Sequence, residues 1–121
     1  MVTFPNPVIL GTKGVRTPES VHMKKGGYTY IIANRNQTLY TGVTSDLVAR
    51  VYQHKNNLVK GFTQKYNLHM LVYYELFETI EQAIIREKQI KNMNRTDKLR
   101  MIFKFNSKFE DLYGQILDKP E

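Results

Sequence analysis

Five side chains between Tyr30 and Glu87 have types suited to moving protons beside fixed charge: Tyr30, Tyr40, Arg50, His54 and Glu87. Phenols and imidazoles exchange protons as general acids and bases. A guanidinium is a permanent, fork-shaped cation. Local structure must bring these groups together. Tyr28–Ala33 and Thr38–Val43 are short β-prone runs around the polar stretch Asn34-Arg35-Asn36-Gln37, which predicts a hairpin with a four-residue loop. Side chains alternate along a strand, so Tyr28 and Tyr30 share one face, as do Tyr40 and Gly42 on the partner. If the register aligns these faces, two or three hydroxyls meet near a glycine that permits close approach. Thr44 or Ser45 then caps a helix over Asp46–Lys55, with Asp46 in its first turn. Arg50 and His54 are four apart and stand on one side of that helix, along the border of an apolar face made by Leu47, Val51 and Tyr52.

Glu87 is the second anomaly. Thr79-Ile80-Glu81-Gln82 fits a capping box with Gln82 at N3, and it predicts a helix over Ile80–Met93. At roughly 100° per residue, the apolar stripe Ile80, Ala83, Ile84, Ile90 and Met93 encloses Glu87. A carboxylate there is costly unless it is paired or holds a cation. An internal ion pair with Arg50, Arg86 or Lys91 and a metal-binding role both satisfy that requirement.

The remaining elements follow from pattern. His69–Phe77, HMLVYYELF, is a nearly continuous apolar run. It predicts a strand buried on both faces, central in the sheet and paired with the hairpin. Thr96 is expected to cap a shorter helix over Asp97–Lys104, and Phe109, Leu112 and Ile116 suggest a closing helical turn. The expected fold class is α/β in the α+β sense: a three-stranded antiparallel sheet flanked by helices. Residues 1–22 carry three prolines, two glycines and no clear period, and are expected to form a loose extension before a domain at 23–117; Val8-Ile9-Leu10 could dock as an edge strand.

Composition narrows the function classes. The chain of 121 residues is long enough for a single core. It contains no cysteine, which excludes disulfides and zinc–thiolate sites. No apolar run approaches a membrane span and no signal peptide is visible, so the cytoplasm is the expected location. The formal net charge is +7. Between Met23 and Met101 lie thirteen Lys/Arg against six Asp/Glu, so the whole excess sits in the central region. A polyanion is the partner such a surface favours, nucleic acid before membrane. The polar loop Lys55–Lys65 could line a phosphate backbone or be a solvated surface loop.

Tyr28-Thr29-Tyr30 followed by Tyr40-Thr41-Gly42 resembles the paired motif of the GIY-YIG nuclease superfamily. Arg50 and Glu87 fall where that family keeps its arginine and its metal-binding glutamate. TGVTSDLVARVYQHK, GFTQKYNLHMLVYYELF and AIIREKQIKNMNR are similar to small stand-alone bacterial members, and the resemblance runs from about Gly27 to Tyr113. The first motif departs from Gly-Ile-Tyr, the second has Thr41 for isoleucine, and Asn94 and Asn106 both stand as counterparts of the family's late asparagine.

The resemblance implies a metal-dependent endonuclease that hydrolyses phosphodiester bonds in DNA, in repair or recombination, with RNA a further substrate class. It implies Mg²⁺ or Mn²⁺ as cofactor and Glu87 as its ligand. Arg50 would clamp a phosphate, and Tyr30 would activate water with its pKa lowered by Arg50 and the metal. Tyr40 would hydrogen-bond the water or the phosphate, and His54 would relay a proton or protonate the leaving oxygen. Tyr28 reads as packing. Lys55, Lys60, Lys65, Lys88 and Lys91 would contact the phosphate backbone. The alternatives are a nucleic-acid-binding module without significant catalysis and an adaptor in which Glu87–Arg50 is only a core ion pair. So small a domain leaves room for a partner protein that supplies substrate recognition.

Overall fold

The computed structural model describes residues 26–117; the expectations for residues 1–22, including the edge strand at Val8–Leu10, lie outside them. Eight elements follow in chain order: β1 Gly27–Ala33, β2 Leu39–Thr44, α1 Leu47–Lys55, α2 Phe62–Lys65, β3 Met70–Phe77, α3 Ile80–Lys91, α4 Arg95–Phe105 and α5 Tyr113–Ile116. The three strands form one antiparallel sheet in the order β2-β1-β3. The expected architecture is therefore present, but its centre is β1 rather than the more apolar β3.

The reason lies in how β1 is covered. All seven of its residues are buried, whereas β3 leaves several half-exposed along the sheet edge. Polar atoms disguise β1 in the sequence. Thr29 is completely buried, yet its hydroxyl donates to the Ala83 carbonyl of α3 at 2.7 Å, which offsets the cost of its burial. Gly27 also serves that contact. A Cβ there would lie 2.6 Å from Ile80 Cδ1 and 2.9 Å from Ile80 Cα, so only glycine allows α3 to pack so close to β1.

The alternation along β1 sorts two cores. Tyr28, Tyr30 and Ile32 pack with Leu47 and Val51 of α1, with Leu68, Leu71 and Leu112, and with α5. Ile31 and Ala33 pack on the other side with Val72, Tyr73, Ile90 of α3 and Ile102 of α4. A register irregularity between Ile31 and Ile32 shifts the pairing so that Ile32 faces Leu71 while Ile31 faces Tyr73.

Local signals acted with small displacements. The hairpin loop runs one residue longer than expected, from Asn34 to Thr38, because Thr38 N–H donates to Asn34 Oδ1 at 3.0 Å and the loop closes on Gln37 with φ 63°. Asp46, not Thr44 or Ser45, is the N-cap of α1 and accepts from Ala49 N–H at 3.1 Å, while Thr44 takes the Asp46 N–H. The capping box at Thr79 and Gln82 is complete. Asn94 replaces the expected Thr96 as cap of α4, since its amide oxygen accepts from Asp97 N–H at 2.8 Å and starts the helix two residues earlier. No helix among the described residues is long and apolar enough to cross a membrane.

Candidate active site

Antiparallel pairing sets the site. Tyr30 lies opposite Gly42, and Ile32 opposite Tyr40, so Tyr30 and Tyr40 occupy the same sheet face, one step apart on neighbouring strands. The Tyr30 ring crosses directly over Gly42. A Cβ on that glycine would fall 2.5 Å from Tyr30 Oη and 2.6 Å from Cζ. Glycine at position 42 is thus the space in which the Tyr30 phenol rests.

The capped turn after β2 brings α1 back across this face. His54 is 3% exposed, not a surface histidine, and its Nε2 is 2.9 Å from Tyr30 Oη. Its other nitrogen, Nδ1, is 3.1 Å from Thr63 Oγ1, itself buried on α2. The imidazole lies between both tyrosines, with ring centroids 5.7 Å from Tyr30 and 6.0 Å from Tyr40. Burial, with Arg50 and His69 adding positive potential, lowers the His54 pKa to about 4. The ring is therefore neutral near pH 7, with one nitrogen carrying a proton and the other free to accept one.

Tyr30 is the other partner in this contact. Burial pushes its pKa up to about 12; Arg50 acts against this, whereas Tyr40 and Glu87 add to it. Desolvation outweighs the guanidinium because the anion loses more hydration than one nearby cation returns. Arg50 and Glu87 therefore both lie within electrostatic reach of the phenol. Arg50 is half-buried, and no carboxylate among the described residues pairs with it. The Glu87 side chain is 12% exposed, and Lys91 Nζ is 2.8 Å from its Oε2. Of the three candidate partners, Lys91 is the one in contact. Arg86 instead braces Glu75 across β3 and α3.

The lysines divide. Lys55 is engaged in the fold: it donates to the His69 carbonyl at 2.8 Å, pairs with Asp111 and lies over the Tyr113 ring. These contacts hold its ammonium group within the fold. Lys91 is held by Glu87. Lys60, Lys65 and Lys88 are exposed, Lys65 above the Tyr66 ring. Both late asparagines are committed to backbone, Asn94 as a cap and Asn106 through Val72 O at 3.2 Å and Glu110 O at 2.8 Å. Tyr28 is packed, as expected, with its hydroxyl buried and unpartnered among the described residues. Thr63 had no signal in the sequence: it sits in a loop that reads as polar, and only the fold carries it to His54.

Residues 26–100 match the GIY-YIG catalytic domain. This chain belongs to the GIY-YIG nuclease family. It is similar to a UPF0213 protein of Clostridium perfringens strain 13, with 35% identity over 89 residues that cover 74% of this chain and 96% of that one. A UPF0213 protein of Staphylococcus saprophyticus is 36% identical over 75 residues, covering 62% of this chain and 92% of that one. The solution NMR structure of a UPF0213 protein from Bacillus halodurans matches with a TM-score of 0.47 at 25% identity, covering 70% of this chain and 90% of that one. In this GIY-YIG domain both threonine departures are buried. Thr29 binds the α3 carbonyl, and Thr41 is 5% exposed.

Proposed function

We propose that this GIY-YIG protein is a divalent-metal-dependent endonuclease that hydrolyses phosphodiester bonds in DNA. The observation that carries the reading is the buried contact of Tyr30 Oη with a neutral His54 Nε2, on the face shared with Tyr40. With Nδ1–H donating to Thr63, Nε2 accepts the Tyr30 proton. As the Tyr30 oxygen takes a proton from the attacking water, its own proton passes to His54. The relay ends with hydroxide bonded to phosphorus and an imidazolium that can protonate the leaving oxygen. Tyr30 never exists as a free phenolate, so its raised pKa is no obstacle. Tyr40 orients the water or the phosphate from the adjacent strand. Arg50, free of any carboxylate among the described residues, clamps the non-bridging oxygens in two-pronged fashion.

Glu87 is the proposed metal ligand. Among the described residues no three His, Cys, Asp or Glu side chains cluster, so an all-protein cage does not fit. A hard ion that keeps most of its water and binds through one carboxylate and the substrate does fit: Glu87 Oε2 meets Lys91, and Oε1 has no protein partner among the described residues. Such an ion, Mg²⁺ or Mn²⁺, would supply charge at the phosphate when bound.

Cleavage of plasmid and oligonucleotide DNA with Mg²⁺, Mn²⁺ or EDTA tests the reading. Glu87→Gln should abolish cleavage at unchanged fold, with DNA affinity held or raised because a negative charge is gone. Arg50→Lys keeps charge but loses the planar fork, and should slow cleavage well over tenfold, about 1.4 kcal/mol or more of barrier. Wild-type rates in Glu87→Gln would remove Glu87 from the chemistry.

A further inference from the structure

Beyond Tyr40 the rings continue to the surface. α2 is a single turn, yet it presents Phe62 at 46% exposure, and Tyr66 at its C-terminal cap is 42% exposed. Phe62 stacks on Tyr40 with centroids 6.5 Å apart and planes at 30°, and meets the Tyr66 ring tilted at 51° with centroids 4.8 Å apart. The series His54, Tyr40, Phe62, Tyr66 therefore leads from the buried site to solvent.

Phe62 is also one wall of a hollow of about 380 Å³. Asn36, Gln37 and Thr38 of the β1–β2 turn, Leu39 of β2, and Arg95 and Lys98 of α4 line the rest. Arg95 Nη2 donates to the Gln37 carbonyl at 2.7 Å, which fixes the guanidinium against the turn. No carboxylate lines the hollow, and none among the described residues pairs with Arg95 or Lys98. An exposed flat ring, two cations without counter-charges, and amide and hydroxyl groups beside them match the base and the phosphate of a nucleotide. The ring suits a base face, the cations a phosphate, and the polar side chains the base edges.

We infer that this hollow is a nucleotide subsite, which takes one unpaired nucleotide flanking the scissile phosphate. Its base stacks on Phe62 and its phosphate lies against Arg95 and Lys98. The position next to the cleaved bond rests on the nuclease reading; the binding itself does not. A base inside a duplex already stacks on both neighbours and cannot offer a face to Phe62. The subsite therefore favours places where a strand leaves a duplex.

The test uses the full chain in EDTA, so that nothing is cut, with a short DNA duplex either blunt or carrying an unpaired tail. A 2-aminopurine in the tail reports stacking through its quenching. The wild type should bind the tailed duplex more tightly and quench the probe. Phe62→Ala and Phe62→Leu should each weaken the tailed complex about tenfold and restore fluorescence, leaving the blunt complex within about twofold. Phe62→Leu retains apolar bulk without the flat ring, and melting temperatures verify folding. Lys98→Ala should also weaken the tailed complex selectively. Equal binding of both duplexes without quenching, or equal losses on both in the Phe62 variants, overturns the subsite. Mg²⁺ is then added to the same complexes. Tail-selective quenching with no cleavage leaves the subsite standing and refutes the nuclease; cleavage without quenching does the reverse.

Discussion

Tyr28 and Tyr30 are two residues apart on one face of β1, both buried, and both phenols are pushed up to about 12 chiefly by burial. Their partners separate them. Tyr30 Oη meets His54, whereas the Tyr28 hydroxyl is buried with no partner among the described residues. Tyr28→Phe should therefore leave stability unchanged or raise it by up to about 1 kcal/mol, because an unsatisfied polar group is removed. Tyr30→Phe strands a buried imidazole nitrogen and should cost about 1–3 kcal/mol, with loss of cleavage. Urea denaturation and a cleavage assay on the two variants provide the comparison. His54 adds a pH dependence. Its pKa falls from 6.5 to about 4 on folding, so between these values the unfolded chain binds a proton that the folded chain does not. Its contribution is fully present above pH 6.5 and is lost as pH falls toward 4, by about 3 kcal/mol at 1.36 kcal/mol per unit. Unfolding midpoints followed from pH 7 down to pH 4 should drop in the wild type and drop less in His54→Gln; parallel curves would contradict the buried neutral imidazole.

At the scale of elements, the β1–β2 register is the decisive contact. It places Tyr30 over Gly42, so the two motifs act as one surface. Gly42→Ala inserts a methyl group 2.5 Å from Tyr30 Oη. The ring must tilt, and it carries the hydroxyl away from His54. Overpacking of this kind costs about 1–3 kcal/mol. Thermal denaturation should show that loss, and the cleavage rate should fall further than stability explains, since most of the protein remains folded. A variant with unchanged cleavage would show that the Tyr30–His54 contact is not used in the reaction.

Across the whole molecule, the net charge of +7 has few outlets near the site. Lys55 and Lys91 are engaged in ion pairs, while Lys60, Lys65 and Lys88 stand exposed with no carboxylate paired to them among the described residues. If these three neutralise phosphates, raising salt from about 50 to about 200 mM should weaken DNA binding about 40-fold. Replacing all three with alanine should remove that share of the salt dependence and leave the share of Arg50, Arg95 and Lys98. Fluorescence anisotropy measures both, and a wild-type affinity indifferent to salt would exclude phosphate contacts as the source of binding.

The local code was legible without the fold. Strand alternation put Tyr30 with Tyr28 and Tyr40 with Gly42, and the Thr79–Gln82 box marked the start of α3, because these depend only on neighbours a few residues away. The helical stripe singled out Glu87 by the same kind of local geometry. Tertiary structure decided what depends on distant groups. Centrality passed to β1 because Thr29 and Tyr30 find partners 54 and 24 residues away, which makes a polar-looking strand fit to be buried. Lys91 rather than Arg50 became the partner of Glu87, and Thr63 reached His54 from a loop without a motif. Burial of the Tyr30 phenol, which pushes it up to about 12 while Arg50 acts against the shift, was decided in the same way. Composition reveals which charges a chain carries, but desolvation depends on how much of the chain closes over each of them.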